Sequence, residues 1–354
     1  MFSFAQMTKA QDSVTIRWIA EKAGVSVATV SRALRHPDTV AGKTRERILK
    51  LVEQYQFVPD GRAATFSSRR TGVIGMIVPT ISNSIYAEFT EAIQTRLQAA
   101  DLSLLIANAN YSAETERDII RKLIESRVEG IVLTGYQREP ALYQLLQKYR
   151  IPFVVTWSTS PVSSIPSISF DNRSAAVEAT EALIRCGHRR IGLICGMTGV
   201  NDRAAQRFDG YRSTLNEYGI AFDPALVAEK PFEIGIAAEA AGELMQLPKP
   251  PTALFCANDI QALGALFACQ KMNIRVPDDV SIVGFDDLPF SRIVTPSLST
   301  VHVPATRMGL AAADALIGAI RENAAVISQL IPTTLILRDS IAKVASKTGA
   351  RKIK

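Results

Sequence analysis

From Gly72 to about residue 299 the chain repeats one pattern: a short apolar run, then an amphipathic stretch of helical length. VIGMIVP opens the series and the helical stretch 85–100 follows it. LSLLIAN, a helix near 113–127, GIVLT, a helix near 139–149 and PFVVTW continue it. The alternation restarts with SISF, a helix near 173–186, RIGLICG, a helix near 203–218, LVAEKPF, a helix near 235–246, ALFCAN, a helix near 260–272 and VSIVGF. Apolar runs without polar alternation suit strands buried on both faces, and helices between them make the connections that parallel strands require. The expectation is a parallel-sheet α/β body in two similarly wound lobes, about 72–170 and 171–299. The chain order says little about the segment after residue 299.

Open parallel sheets bind ligands beyond the carboxyl ends of their strands, and two facing lobes enclose a cleft there. Polar residues directly after the apolar runs are therefore the candidates: Ser82–Asn83 with Tyr86, Trp157, Arg203 and Arg207, Phe232, Asn258–Asp259 and Asp286–Asp287. Asp, Asn and Arg converging with aromatic rings suit a polyhydroxylated ligand, because paired hydroxyls take bidentate bonds and C–H faces lie on rings. A plainer role is open for some of them. Asn258–Asp259 can cap the next helix, and Asp286 can do the same before Asp287–Leu288–Pro289.

The first seventy residues differ in kind. They hold 12 of the 40 Lys and Arg but 6 of the 34 Asp and Glu, so the whole formal net charge of +6 sits in this head. The basic tail from residue 343 to the end leaves the body between them mildly acidic. A basic head on such a body points to a polyanion met by the head alone. In the stretch IAEKAGVSVATVSRAL, Thr15 is placed to cap a first helix, and Ile16, Ile19, Ala20 and Ala23 line one of its faces. Gly24 supplies the left-handed conformation of a tight turn, Val25 plugs the gap and Ser26 caps a second helix. Val30, Ala33 and Leu34 face back, leaving Val27, Ala28, Thr29, Ser31 and Arg32 partly outward. A third helix is expected over Lys43–Tyr55 with Ile48, Leu49 and Val52 inward. That is a helix-turn-helix unit, and a helix of short outward side chains fits the major groove.

The stretch TIRWIAEKAGVSVATVSRALRHPDTVAGKTRERILKLVEQYQFVPD resembles the head of the lac-repressor/galactose-repressor family of bacterial regulators, through A-x-x-A-G-V-S-x-x-T-V-S-R, then T-R-x-x-I and F-x-P. The resemblance runs on to about residue 340. It implies an all-α helix-turn-helix head at 1–60, a hinge helix or linker at 61–71 and a periplasmic-binding-protein-like (type I) body at 72–340. It sends 300–330 back to the first lobe and 331–340 to the second, leaving 341–354 as a basic tail. By the same resemblance Val27, Ala28 and Arg32 read bases, while Thr15, Ser26, Thr29, Ser31 and Thr44 contact phosphates. Phe66 stands where the family carries a Leu that wedges between base pairs at the operator centre. Effector contacts fall on Tyr86, Trp157, Arg207, Phe232, Asn258 and Asp286, with Arg203 an addition found in some members. Two departures matter. Ala41 replaces the usual Ser cap of the third helix, and Trp157 stands where sugar-binding relatives carry an acid.

Several classes drop out. There is no G-x-S-x-G, P-loop, dinucleotide fingerprint or H-E-x-x-H, so an α/β enzyme acting on a sugar derivative is disfavoured. A solute-binding protein for sugar uptake suits the body, but a helix-turn-helix stands where its signal peptide belongs. No apolar run is long enough to span a membrane. The four cysteines lie far apart and the three histidines are scattered, which suits reduced thiols in a cytoplasmic protein with neither metal nor cofactor. The expectation is a homodimeric repressor of carbohydrate genes on a pseudo-palindromic operator, controlled by a sugar or sugar acid.

Overall fold

The computed structural model describes residues 14–35, 37–57 and 70–344. The chain divides into two units, Met1–Thr71 and Gly72–Lys354. Phe66 and the rest of 61–69 fall outside the described residues, as does the tail from 345.

In the head, α1 spans Ile16–Ala23, α2 Val27–Arg35 and α3 Gly42–Gln54. The Thr15 hydroxyl accepts from the Trp18 amide at 3.2 Å and starts α1. Gly24 ends it at φ +60, and the amides of Gly24 and Val25 return to the Glu21 and Ala20 carbonyls. The Ser26 hydroxyl accepts from the Thr29 amide at 3.2 Å and starts α2. Ile19, Ala20, Ala23, Val30, Ala33 and Ile48 close the core between the helices. Leu49 is not part of it: it is 39% exposed, because the apolar stripe of α3 runs through Ile48, Leu51 and Val52. Ala41 begins α3 without a side-chain cap.

The body holds two six-stranded sheets. The first has strands β1 Val73–Val78, β2 Ser103–Asn108, β3 Gly130–Thr134, β4 Phe153–Thr156, β5 Ser167–Ser169 and β11 Gln329–Leu330, in the order β11-β5-β4-β3-β1-β2. The second has β6 Ile191–Cys195, β7 Val227–Glu229, β8 Ala253–Cys256, β9 Ser281–Asp286, β10 Ser299–His302 and β12 Thr334–Ile336, in the order β12-β10-β9-β8-β6-β7. Every pairing is parallel except β10 with β12. Helices α4 Ile85–Gln98, α5 Ala113–Glu125, α6 Pro140–Lys148 and α11 Ala305–Glu322 pack with the first sheet. Helices α7 Asn172–Arg185, α8 Asp202–Glu217, α9 Ile234–Met245 and α10 Asp259–Lys271 pack with the second.

The chain passes between the lobes three times: after β5, after β10 and after β11. The second passage differs from the expected position. Residues 299–302 pair with β9 in the second sheet, so the return to the first lobe comes at Val303–Pro304 and not at residue 300. One apolar cluster runs through both lobes, with Phe170 at the first passage 6.1 Å from Phe285 at the end of β9. A continuous core of this kind brings the carboxyl ends of both sheets toward each other.

Candidate functional site

On α2, Val27 is 40% exposed, and Ala28 and Arg32 are exposed beside it. The Arg32 Nε donates to the Ala28 carbonyl at a long 3.4 Å, which leaves the guanidinium free to swing outward. Thr29, Ser31 and Thr44 are half-buried. Thr15 and Ser26 hold helix caps with their hydroxyls, so they align the amino ends of α1 and α2 as well as standing near the surface.

In the body, Tyr86, Trp157, Arg203, Arg207, Phe232, Asn258 and Asp286 all line one cavity between the lobes, together with Asn83, Tyr111 and Asn201. Each arrives from just beyond a strand: Tyr86 after β1, Tyr111 after β2, Trp157 after β4, Arg203 and Arg207 after β6, Phe232 after β7, Asn258 after β8, and Asp286 as the last residue of β9. The cavity is tight, at about 30 Å³.

Arg207 is the centre of the set. It is 7% exposed, and its Nε donates to Asn172 Oδ1 at 2.8 Å while Nη1 donates to the Ala257 carbonyl at 2.5 Å. Its guanidinium lies 3.7 Å above the Phe285 ring. Burial, with the charge of Arg203 beside it, lowers its proton affinity against the pull of Asp286. Asp286 sits at φ +115 with its carboxylate 3.8 Å from Arg207, too long for a hydrogen bond. Burial therefore outweighs the ion pair, and the Asp286 carboxyl is pushed up to about 8.

The other residues divide. The Asn258 side chain accepts from the Gln261 amide at 2.8 Å, so it caps α10, as the plainer reading allowed. Its neighbour Asp259 faces away from the cavity and accepts from Leu288 N–H, Ser291 and Thr300. Asp286 caps nothing. Trp157 is 2% exposed and packs edge-on against Tyr86 and Phe89 at 5.0 and 5.2 Å. Its ring is core, although Trp157 still lines the cavity, and its buried indole N–H has no acceptor among the described residues. Asn172, which holds Arg207, also donates to the Trp157 carbonyl at 2.8 Å.

Tyr111 escaped the sequence reading. It follows the run LSLLIAN as the other candidates follow theirs, so the same rule applied to that run finds it. Asn110 and Tyr111 both take left-handed conformations, φ +52 and +55, and this reversal carries the ring to 6.2 Å from Phe232 of the other lobe.

Residues 15–60 match the family model described as bacterial regulatory proteins, lacI family, and residues 180–341 match one described as a periplasmic binding protein-like domain. The HTH-type transcriptional repressor CytR of Escherichia coli strain K12 is 31% identical over 334 residues, covering 94% of this chain and 97% of that protein. The HTH-type transcriptional repressor PurR of Haemophilus influenzae is 30% identical, covering 93% and 99%. Among solved structures, the lac repressor dimer bound to operator and the anti-inducer ONPF superposes with a TM-score of 0.82 at 25% identity, covering 93% and 99%. A complex of the transcriptional regulator CelR with cellobiose gives 0.69 at 27% identity, covering 92% and 99%.

Proposed function

The chain belongs to the lacI family of bacterial regulatory proteins, and from that premise we propose a repressor whose hold on operator DNA is set by a small sugar or sugar acid at Arg207 and Asp286. The head is the DNA-reading part. Val27 and Ala28 suit thymine methyl groups, and Arg32 suits the O6/N7 edge of guanine. The lac repressor that this chain resembles is a dimer on its operator, and two heads of a symmetric dimer suit a pseudo-palindromic site in the cytoplasm.

The observation that carries the sensing role is the meeting of residues from both lobes on one cavity around a buried guanidinium. The local charge favours an anion. Arg203 and Arg207 face the cavity, and the carboxyl opposite them is protonated over much of the neutral range. A carboxylate meeting the buried Arg207 forms charge-assisted bonds, while hydroxyls take the Asp286 oxygens and the Trp157 N–H. CelR, bound to cellobiose, shows a relative of this fold holding a sugar. Uptake by a secreted solute-binding protein leaves the helix-turn-helix without a use, and the named relatives are repressors and not enzymes.

The test is a panel of sugar acids and their neutral counterparts, read by thermal shift and by indole fluorescence in a Trp18→Phe variant, where Trp157 is the remaining indole of two. An acid that raises Tm while its neutral counterpart does not, and that changes operator affinity, supports the reading. Stabilisation by neutral sugars alone removes the anion from it. A stabilising ligand with no effect on operator binding removes the regulation.

A further inference from the structure

A line of contacts closes the mouth of the cleft outside the Arg207–Asp286 pair. Asp202 is the first residue of α8 in the second lobe, with a side chain 3% exposed. Its Oδ2 accepts from two backbone amides of the first lobe, Tyr136 at 2.5 Å and Gln137 at 3.1 Å. Its Oδ1 accepts from Arg203 Nη1 at 2.6 Å. The approach depends on Gly135, at φ +75. A Cβ there would lie 2.2 Å from Arg203 Nη1 and 2.7 Å from Asp202 Oδ1. A side chain there would push the Arg203 and Asp202 side chains out of these bonds and strain the backbone at this φ.

Tyr111 completes the line from the first lobe. Its phenol is raised by burial and pulled back by the Arg203 guanidinium beside it, and its ring meets Phe232. It also separates three spaces. The inner cavity of Arg207 and Asp286 lies on one side, and outer cavities of about 330 and 350 Å³ lie on the others, each with Tyr111 in its wall. The ring is thus part of the wall that the inner cavity shares with both outer spaces.

We infer that Tyr111, Arg203 and Asp202 form a clasp across the mouth of the cleft, which ties the two lobes by the protein's own bonds and admits a ligand only when it opens. The amide bonds are the tie, because a carboxylate that accepts two backbone N–H groups holds their geometry as well as their charge. Tyr111 is the door, because the strained reversal at 110–111 aims it at the opposite lobe. The clasp also sets how much of the population is open before any ligand arrives, and a ligand's apparent affinity falls with the fraction competent to receive it.

The experiment uses the full chain in the Trp18→Phe background, with no ligand. Acrylamide quenching of Trp157 and the radius of gyration from small-angle scattering are compared for the parent, Asp202→Ala, Tyr111→Ala and Gly135→Ala. Asp209→Ala is the control. It lies on the same helix, is exposed, and pairs with Arg173 and Arg212 of its own lobe. The clasp predicts at least threefold faster quenching in the three variants, with a larger radius in Asp202→Ala and Gly135→Ala and no change in the control. Gly135→Ala acts from the opposite lobe, so it carries the test if Asp202→Ala fails to fold, and far-ultraviolet circular dichroism checks both. Parental quenching and radius in folded Asp202→Ala or Gly135→Ala overturn the proposal. So does an equal rise in Asp209→Ala. Neither readout involves a ligand, so the clasp can fail while the sensing role of Arg207 and Asp286 stands, and the reverse.

Discussion

Asp286 is held between opposing influences: the Arg207 guanidinium favours its charged form, and its buried position resists it. Burial pushes its carboxyl up to about 8, Arg207 pulls down from 3.8 Å, and the nearby Asp259 pushes the same way as burial. The consequence for stability has a definite sign. Between 3.8 and about 8 the folded chain keeps a proton that the unfolded chain has released. Stability is therefore lost as pH rises through that window. Each tenfold change in proton affinity is worth about 1.4 kcal/mol, so a shift of this size amounts to a few kcal/mol between pH 5 and pH 8. Asp286→Asn carries no proton to lose. Its urea midpoint should exceed that of the parent at pH 8, and the gap should shrink at pH 5. Asp259, pushed up to about 6 by burial against the bonds from Thr300, Ser291 and Leu288, adds a slope of the same sign that the variant keeps. The parent–variant difference is therefore the quantity that decides. An equal gap at both pH values contradicts the protonated carboxyl. A second residue-scale outcome concerns Ala41, which begins α3 without a side-chain bond. Ala41→Ser supplies an acceptor for an unpaired amide of the first turn and should add about 1 kcal/mol locally. Hydrogen exchange at residues 43–46 should slow about fivefold, and unchanged exchange shows that the cap does not form.

Among the elements, α2 carries the outward face that the proposed function assigns to base reading. Truncating Arg32 to Ala should cost about 1–3 kcal/mol, or roughly 5- to 150-fold in operator affinity, with preference relaxed at one base position. Anisotropy titrations on a selected palindrome and its single-base variants measure both. A uniform loss across all sequences makes Arg32 a phosphate contact instead. This element was legible because its signals are local: Thr15 and Ser26 cap, Gly24 reverses, and the apolar spacing falls on the buried residues. Most of the body's strands up to β9 were legible for a similar reason, since buried parallel strands leave runs such as VIGMIV and GIVLT, whereas β2 carries an equally apolar run on a largely exposed edge. The later elements were not. β11 is two residues long and exposed, and β12 is three, too short for any periodicity to register. Their placing came only from the family resemblance. Leu49 shows the limit inside a helix: an apolar residue beside a buried stripe falls on whichever side the neighbouring helices leave open. Trp157 shows it at the site. Its position after β4 brought it to the cavity, but three aromatic neighbours take its ring into the core, and sequence order gives no account of those neighbours.

At the scale of the molecule, assembly and sensing each leave a surface to test. Leu105 and Ile106 on the outer strand of the first sheet are 47% and 44% exposed, and Ile81 is 72% exposed. An apolar edge strand is a liability for a lone chain and suits burial against a second copy. The proposed dimer predicts that sedimentation gives a dimer for the parent and a monomer for Leu105→Asp/Ile106→Asp. A dimer that survives both changes places the interface elsewhere. Sensing is a claim about free energy between two sites, and it is reciprocal. If ligand weakens operator binding by a given factor, operator DNA must weaken ligand binding by the same factor, for a coupling of about 1–3 kcal/mol or roughly 5- to 150-fold. A ligand that strengthens operator binding obeys the same equality with the sign reversed. On the proposed function, Arg207 is the residue through which the ligand acts. It bonds Asn172 and the Ala257 carbonyl, faces Asp286 across the cavity, and through Asn172 reaches the Trp157 loop of the first lobe. Removing it takes away the guanidinium proposed to register an anion. In Arg207→Ala the ratio of operator Kd with and without saturating ligand should fall to one. Titrating operator at fixed ligand, and ligand at fixed operator, gives the two factors independently. Unequal factors in the parent mean that the ligand acts on another species than the DNA-bound protein. A ratio that stays at the parental value in Arg207→Ala, with ligand binding still saturable, moves the sensing role away from this guanidinium.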